Sequence, residues 1–419
     1  MYKTSCRGCG STKLKKILDL GEQPLANSFT KEPNNLPKYP LELMVCEDCN
    51  LTLLSYVVPP EEMFSSYLYT SSTSETQKKH WKTYAEEVFE PFAHFNKVDV
   101  LEIASNDGYL LKQFQELGAN VVGVDPAVNL ALQATADGIP TIRGYWGEQT
   151  FKVLKEDYFP DGCDIICANN VLAHVDDVNS FAKYIKKALK PHGIATIEAP
   201  WAYNFFKNVE FDTTYHEHLS YFLIKPLQKL FRNNDLMVYH IEEQEIHGGS
   251  IRLYITHYSS EITPSGNYFK LVDMEQEYYS MSSYDDFKGK VEKIRDDFWG
   301  LMYKIENSNL MNKMIGSGKI NSDRLCAYGA AAKGNTLLNY LGYVDVSLLI
   351  DFIVDENLLK QGLYTPGTNI PVVDINTLKD FKGYCLITAW NFKEEIMKKV
   401  KTISPDIKFI IPIPEMEVV

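Results

Sequence analysis

The stretch 98–126, VDVLEIASNDGYLLKQFQELGANVVGVDP, constrains the fold more than any other part of the chain. It opens on an apolar run of strand composition, with Glu102 near its end. Ala104, Ser105, Asn106, Asp107 and Gly108 follow as a small, turn-prone set. Residues 109–117 have helical spacing, with Leu110, Leu111, Phe114 and Leu117 on one face, and Gly118 stops the helix. Residues 120–124 read as a second strand, ended by Asp125 and Pro126. Strand, glycine loop, helix, strand and acid in this order is the start of a parallel α/β sheet, which binds ligands beyond the carboxyl ends of its strands. Gly108 is expected to let the backbone approach such a ligand. Asp125 is placed to bond both hydroxyls of a ribose. The dinucleotide fingerprint G-x-G-x-x-G is absent. One glycine among carboxylates and amides suits a cationic nucleoside better than a pyrophosphate.

A chain of 419 residues implies two or three domains. The formal net charge of -13 disfavours nucleic acid as a partner. There is no long apolar run and the start is polar, so no membrane partner and a cytoplasmic location are expected.

Four of the 8 cysteines form two C-x-x-C pairs, Cys6 with Cys9 and Cys46 with Cys49. Each pair sets two thiolates on one tight turn, at the separation that two corners of a tetrahedron require. The expectation is a closed, structural zinc site of four thiolates in a proline-rich module, residues 1–74; a redox pair is the alternative. Residues 67–74, YLYTSSTS, interleave phenols with small hydroxyls and read either as a pocket strip or as a linker.

Residues 75–95 read as a helix, and further strands are expected at 164–168, 192–199, 236–241 and 250–257, with a helix at 181–189. Asn169 and Asn170 end the first of these strands, and His174 follows. The sharpest cluster is DTTYHEHLSY at 212–221, with Tyr215, His216, Glu217 and His218 in one run. A metal site or a polar cap over the sheet are the competing readings. General acid–base work fits best, with an imidazole taking a proton and Glu217 orienting it. Carbon becomes nucleophilic beside a ketone only if a proton is removed and the oxyanion is held, and a His base with Tyr or His donors is that equipment. HGGSIR at 247–252 offers His247 and Arg252 to a phosphate or sugar hydroxyl, or Arg252 to a buried ion pair.

Residues 263–322 read as a helical connector and 323–419 as a second, Rossmann-like unit. Its turn G-A-A-A-K-G-N at 329–335 is expected to precede a helix at 336–341 and to make an anion site with Lys333 and Asn335. A strand is expected at 346–354, then others at 384–388 and 407–411. NAD is an alternative ligand, for which the middle fingerprint glycine is missing.

Taken together, the two knuckles, EIASNDG at 102–108, YHEHLSY at 215–221, HGGSIR at 247–252 and GAAAKGNTLLNY at 329–340 resemble one family. This is the S-adenosylmethionine (SAM)-dependent C-methyltransferases of nucleotide-linked 4-keto-6-deoxy sugars. The resemblance runs along essentially the whole chain. It implies a zinc-binding module, a class I methyltransferase core of seven strands at 75–262, and a Rossmann-like C-terminal domain. It implies His218 as base, Tyr215 holding the enolate, and Glu217, His174 and Tyr69 in the same site. SAM is then expected on Glu102, Ala104, Ser105, Asn106, Gly108, Asp125, Pro126 and Asn169. The nucleotide-diphosphate keto-deoxy sugar is expected near Asn170, His247, Arg252, Lys333 and Asn335, in a monomer or weak oligomer. O- or N-methylation of the same sugar class is the alternative activity.

Overall fold

The computed structural model describes residues 1–63, 75–246, 249–314, 324–342 and 345–419. Three sheets organise it, and the first is nucleated by the cysteine knuckles. β1 (Leu14–Gln23), β2 (Tyr39–Cys46) and β3 (Thr52–Leu54) form an antiparallel meander, with β2 running directly into the second knuckle. One face carries Leu18, Leu43, Val45 and Leu54, all buried, and Leu53 on the other face is buried as well.

The central sheet begins with β4 (Asp99–Ile103), β5 (Asn120–Asp125), β6 (Thr141–Arg143), β7 (Cys163–Asn169) and β8 (Leu189–Pro200), all parallel. Every residue of β4 is buried, as a parallel strand covered on both faces requires. β9 (Ser220–Tyr221) leaves this sheet and pairs with β3, extending the N-terminal meander to four strands. β10 (Leu236–Gln244) and β11 (Ser250–His257) return to the central sheet, giving seven strands in the order β10-β11-β8-β7-β4-β5-β6. β11 is antiparallel to both its neighbours. The strand order reverses between β4 and β7, so the ligand crevice opens beyond Ile103 and Asn169.

The third sheet holds β12 (Arg324–Tyr328), β13 (Ile350–Val354), β14 (Val372–Val373), β15 (Gly383–Ile387), β16 (Lys408–Ile411) and β17 (Glu417–Val418), in the order β14-β13-β12-β15-β16-β17. All but the β16–β17 pair are parallel. Helices Gly266–Met274 and Met281–Met314 join it to the central sheet. One apolar cluster runs continuously from Cys6 through the central sheet to Ile413, so the three sheets share a core.

Three expected elements change. The helix at 75–95 ends at Phe89, because Pro91 leads a 3-10 turn, Glu90–Phe92. The strand at 346–354 divides, with Asp345–Leu349 helical and only Ile350–Val354 paired with β12. The helix expected at 336 starts at Ala332, since Ala and Lys extend it backwards from an extended Ala331. Lys333 and Asn335 therefore lie in its first turns rather than in a loop. Among the described residues, no helix is long and apolar enough to cross a membrane.

Candidate active site and zinc centre

The segment that carries Tyr215 and His218 is shaped by a turn. The His218 amide donates to the Tyr215 carbonyl at 2.9 Å, so residues 215–218 form a β-turn and its first and last side chains converge. His218 Nε2 lies 2.8 Å from the Tyr215 hydroxyl, and the rings are 4.1 Å apart. His218 Nδ1 lies 3.1 Å from the carbonyl oxygen of Thr213. A carbonyl only accepts, so Nδ1 carries the proton and Nε2 presents its lone pair to the Tyr215 side. Tyr221 donates to the same Thr213 oxygen at 3.2 Å.

His174 joins from the loop after β7, its ring 5.0 Å from that of His218. Burial pulls its pKa down to about 4, only partly opposed by a bond to the backbone of Glu217, so it is neutral near pH 7. The Glu217 carboxylate accepts from Asn27 of the N-terminal module at 2.6 Å. Burial raises its pKa. The His218 ring itself is oriented by the Thr213 carbonyl and the Tyr215 hydroxyl. His216 faces the opposite way, buried against Tyr39, whose carbonyl oxygen lies 3.3 Å from its Nε2. The two imidazoles of the H-x-H run thus diverge, which removes the metal reading. Tyr69 and His247 lie outside the described residues.

At the central crevice, Ala104, Asn106 and Gly108 all have positive φ (59°, 51° and 74°), as does Asn170 at 54°. Such a run holds the loop open beyond β4 and β7. Asp125 accepts from the Asn106 amide at 2.8 Å and, past Pro126, from the Ala127 amide at 2.8 Å. The carboxylate therefore pins the loop as well as facing it. Two of these residues also have packing roles. A Cβ on Gly108 would meet Ile139 and Ala134 at 3.2–3.3 Å, so this glycine serves packing. Ser105 turns its side chain back onto β5, where a Cβ on Gly123 would stand 2.3 Å from its Oγ. Glu102 is 6% exposed, and among the described residues its Oε2 has no partner; nor has Asn169 Nδ2. Burial, with Asp107 and Asp125 adding, pushes the Glu102 carboxyl well above the usual range. A cation there relieves all three acids, so the residues present fit a sulfonium nucleoside with an ammonium group.

The substrate-side candidates separate. Arg252 is 1% exposed, its Nε 2.7 Å from Glu198 and Nη1 2.9 Å from Glu87, with the guanidinium over the Tyr84 ring. It is held by the ion pair and is not free to bind a ligand. Asn335 is also 1% exposed and donates to the Ala26 carbonyl at 2.7 Å. It fixes the N-terminal module against the C-terminal helix rather than facing a diphosphate. Lys333 is half-buried over the Trp390 ring and donates to Asn391. Trp390 in turn donates to Asp212 at 2.7 Å. Asp212, pushed up to about 6, and Glu210, to about 7, owe their shifts to burial, with Lys333 opposing. Asp212 and Thr213 fall inside the 212–221 run but without a role read for them, and Asn27 and Trp390 were not singled out, since they reach this segment only through folding.

The zinc centre is built from two matched turns. Gly10 and Asn50, both left-handed (φ 76° and 61°), donate their amides to the Cys6 and Cys46 carbonyls at 2.8 Å. All four sulfurs lie within 4.8 Å of one another, and Cys6–Cys49 and Cys9–Cys46 are each 3.6 Å apart. Zinc bound to four thiolates at about 2.3 Å needs sulfurs about 3.8 Å apart, so the set fits.

Comparison with known proteins agrees with this geometry. Three family models match in succession: a zinc binding domain at residues 6–64, a methyltransferase domain at 74–241 and a C-methyltransferase C-terminal domain at 245–414. The seven-stranded sheet, its crevice and the cysteine cage thus define a SAM-dependent methyltransferase of class I with a zinc-binding module. More narrowly, the C-terminal match and a relative alike over nearly its whole length make it a SAM-dependent C-methyltransferase. C-methyltransferase NovU from Streptomyces niveus is 28% identical, across 99% of this chain and 96% of the relative. A ubiquinone biosynthesis O-methyltransferase from Rhodopseudomonas palustris is 33% identical over 107 residues, which are 24% of this chain and 41% of that protein. A SAM-dependent methyltransferase structure from Clostridium acetobutylicum overlaps 43% of this chain and 92% of its own at 13% identity, with a TM-score of 0.34.

Proposed function

We propose that this C-methyltransferase acts at C3 of a nucleotide-diphospho-4-keto-6-deoxyhexose, through an enolate formed by His218. The observation that carries the reading is the pairing of a proton acceptor and a hydroxyl donor 2.8 Å apart on one turn. The α-carbon and oxygen of a ketone are about 2.4 Å apart, from bond lengths like those of the peptide. One ketone can therefore face both groups. His218 Nε2 takes the α-proton while Tyr215 turns its hydroxyl from the imidazole to the developing oxyanion. The Thr213 carbonyl stabilises the imidazolium through Nδ1–H. His174, neutral because buried, adds a donor without competing for the proton. Bound SAM supplies an electrophilic methyl on a sulfonium. Glu102, Ala104, Asn106, Asp125 and Asn169 are the residues that would hold it, and proximity supplies much of the rate.

A hydroxyl nucleophile needs a base but no donor held at a neighbouring oxyanion, which is why the Tyr215–His218 pair favours carbon. Lys333, at the start of helix Ala332–Leu341 and within electrostatic reach of Asp212, is the cation that a diphosphate would use. On this reading residues 1–74 carry zinc, 75–262 the chemistry, 263–322 a connector and 323–419 the nucleotide. The test uses a dTDP-linked 4-keto-6-deoxyhexose and SAM with a carbon-13 methyl. The new signal is expected as a methyl bonded to C3 beside the ketone. A methyl on C5 or on oxygen overturns the assignment.

A further inference from the structure

The first zinc knuckle carries an arginine between its two ligands, and the side chain of Arg7 is 1% exposed. Its Nη1 donates to the carbonyl oxygen of Leu219 at 2.5 Å and lies 3.4 Å from Ser220 Oγ. Leu219 directly follows His218. The same carbonyl accepts the Leu54 amide from β3 at 3.1 Å, and the Leu219 amide donates to Ala173, beside His174, at 2.7 Å. The knuckle itself is tied to helix Val178–Ala188, where Asn179 donates to the Arg7 and Gly8 carbonyls at 2.8 and 3.1 Å.

Burying a guanidinium costs several kcal/mol unless an opposite charge and hydrogen bonds offset it. The closest carboxylate, Asp176, stands 3.7 Å away, and among the described residues Nε and Nη2 have no hydrogen-bond partner. Four thiolates on a divalent cation leave two excess negative charges beside this arginine. The metal-built cage and the buried cation are thus complementary, and the contact they support is the residue after the base.

We infer that Arg7 is a positioning residue: it ties the zinc knuckle to the Leu219 carbonyl, so that the knuckle sets where the His218 imidazole points. The inference rests on the reading of His218 as base. It gives the zinc module a part in catalysis through backbone geometry, with no metal chemistry at the substrate.

The test compares Arg7→Gln, Arg7→Lys, Asn179→Leu and His218→Ala with the wild type. Each is measured for zinc content, SAM affinity, backbone amide exchange over 214–222 and deuterium entry beside the ketone of a dTDP-linked 4-keto-6-deoxyhexose. In Arg7→Gln, amide exchange over 214–222 is expected to rise at least tenfold and kcat for deuterium entry to fall at least tenfold. Zinc stays at one per chain, and SAM affinity and KM for the sugar stay within about twofold. Arg7→Lys restores part of both losses. If Arg7→Gln does not retain zinc, Asn179→Leu decides, with the same direction expected at severalfold size. Zinc-loaded Arg7→Gln, or failing it Asn179→Leu, with wild-type amide exchange and wild-type deuterium entry overturns the inference. His218→Ala that still admits deuterium overturns the base assignment instead, and the amide exchange then judges the Arg7 contact alone.

Discussion

The imidazole of His218 is held at both nitrogens, by the Thr213 carbonyl at 3.1 Å on one side and the Tyr215 hydroxyl at 2.8 Å on the other. Removing only the hydroxyl isolates its part. Tyr215→Phe keeps the ring against the imidazole and loses the donor to the oxyanion. We expect kcat to fall by roughly 10²-fold, the scale of one oxyanion donor, with SAM affinity unchanged. Steady-state kinetics beside calorimetric SAM titration checks this.

Asp125 bonds two loop amides and is expected to bond the ribose. Asp125→Ala removes hydrogen bonds to a charged group, worth about 1.5–3 kcal/mol each. With two ribose bonds lost, SAM affinity is expected to fall roughly 10²-fold or more while the far-ultraviolet circular dichroism stays native. A retained affinity would place the ribose elsewhere.

The cysteine cage predicts a metal-dependent fold for the N-terminal meander, whose sheet is continued by β9 just after His218. Cys49→Ala leaves three ligands, so zinc content by mass spectrometry should fall below stoichiometry and the melting temperature should drop. Because binding energy is folding energy in such modules, the loss should amount to several kcal/mol.

Glu275 is 0% exposed, and burial raises its pKa from 4.5 to about 7, against bonds from Tyr279, Trp201 and the Ile224 amide. A raised acid favours the folded state fully below pH 4.5, and this contribution is lost as pH climbs through 7. The shift corresponds to about 3 kcal/mol. Relative to Glu275→Gln, the wild type should therefore lose stability between pH 4.5 and 8, read from denaturant melts at several pH values. A constant difference would contradict the burial effect.

Much of this was legible because parallel strands and knuckles are local. Residues 98–126 carried strand, loop, helix and acid in one run, and C-x-x-C carried the cage. The Y-H-E-H spacing held the Tyr215–His218 turn but not its use, since an i to i+3 convergence depends on the backbone closing there. The choice between ligand and ion pair for Arg252, and the contact made by Asn335, stayed open because a side chain's partner is a matter of packing. Arg252 meets Glu198 only through the β8–β11 register, and Asn335 meets Ala26 across 309 residues. The packing contact of Gly108 was hidden for the same reason, since Ile139 is near it only after folding. Arg7 and Asn27 sit in segments that read as scaffold and reach the site only through sheet pairing between β3 and β9 and the fold of the loop after β1.

The most direct measurement follows the α-proton. In deuterium oxide with SAM omitted, the wild-type protein should exchange the proton at C3 of the keto sugar into solvent. His218→Ala should bind SAM and the sugar with wild-type affinity and show neither exchange nor methylation. Exchange at the wild-type rate in His218→Ala would contradict the assignment of this imidazole as the base.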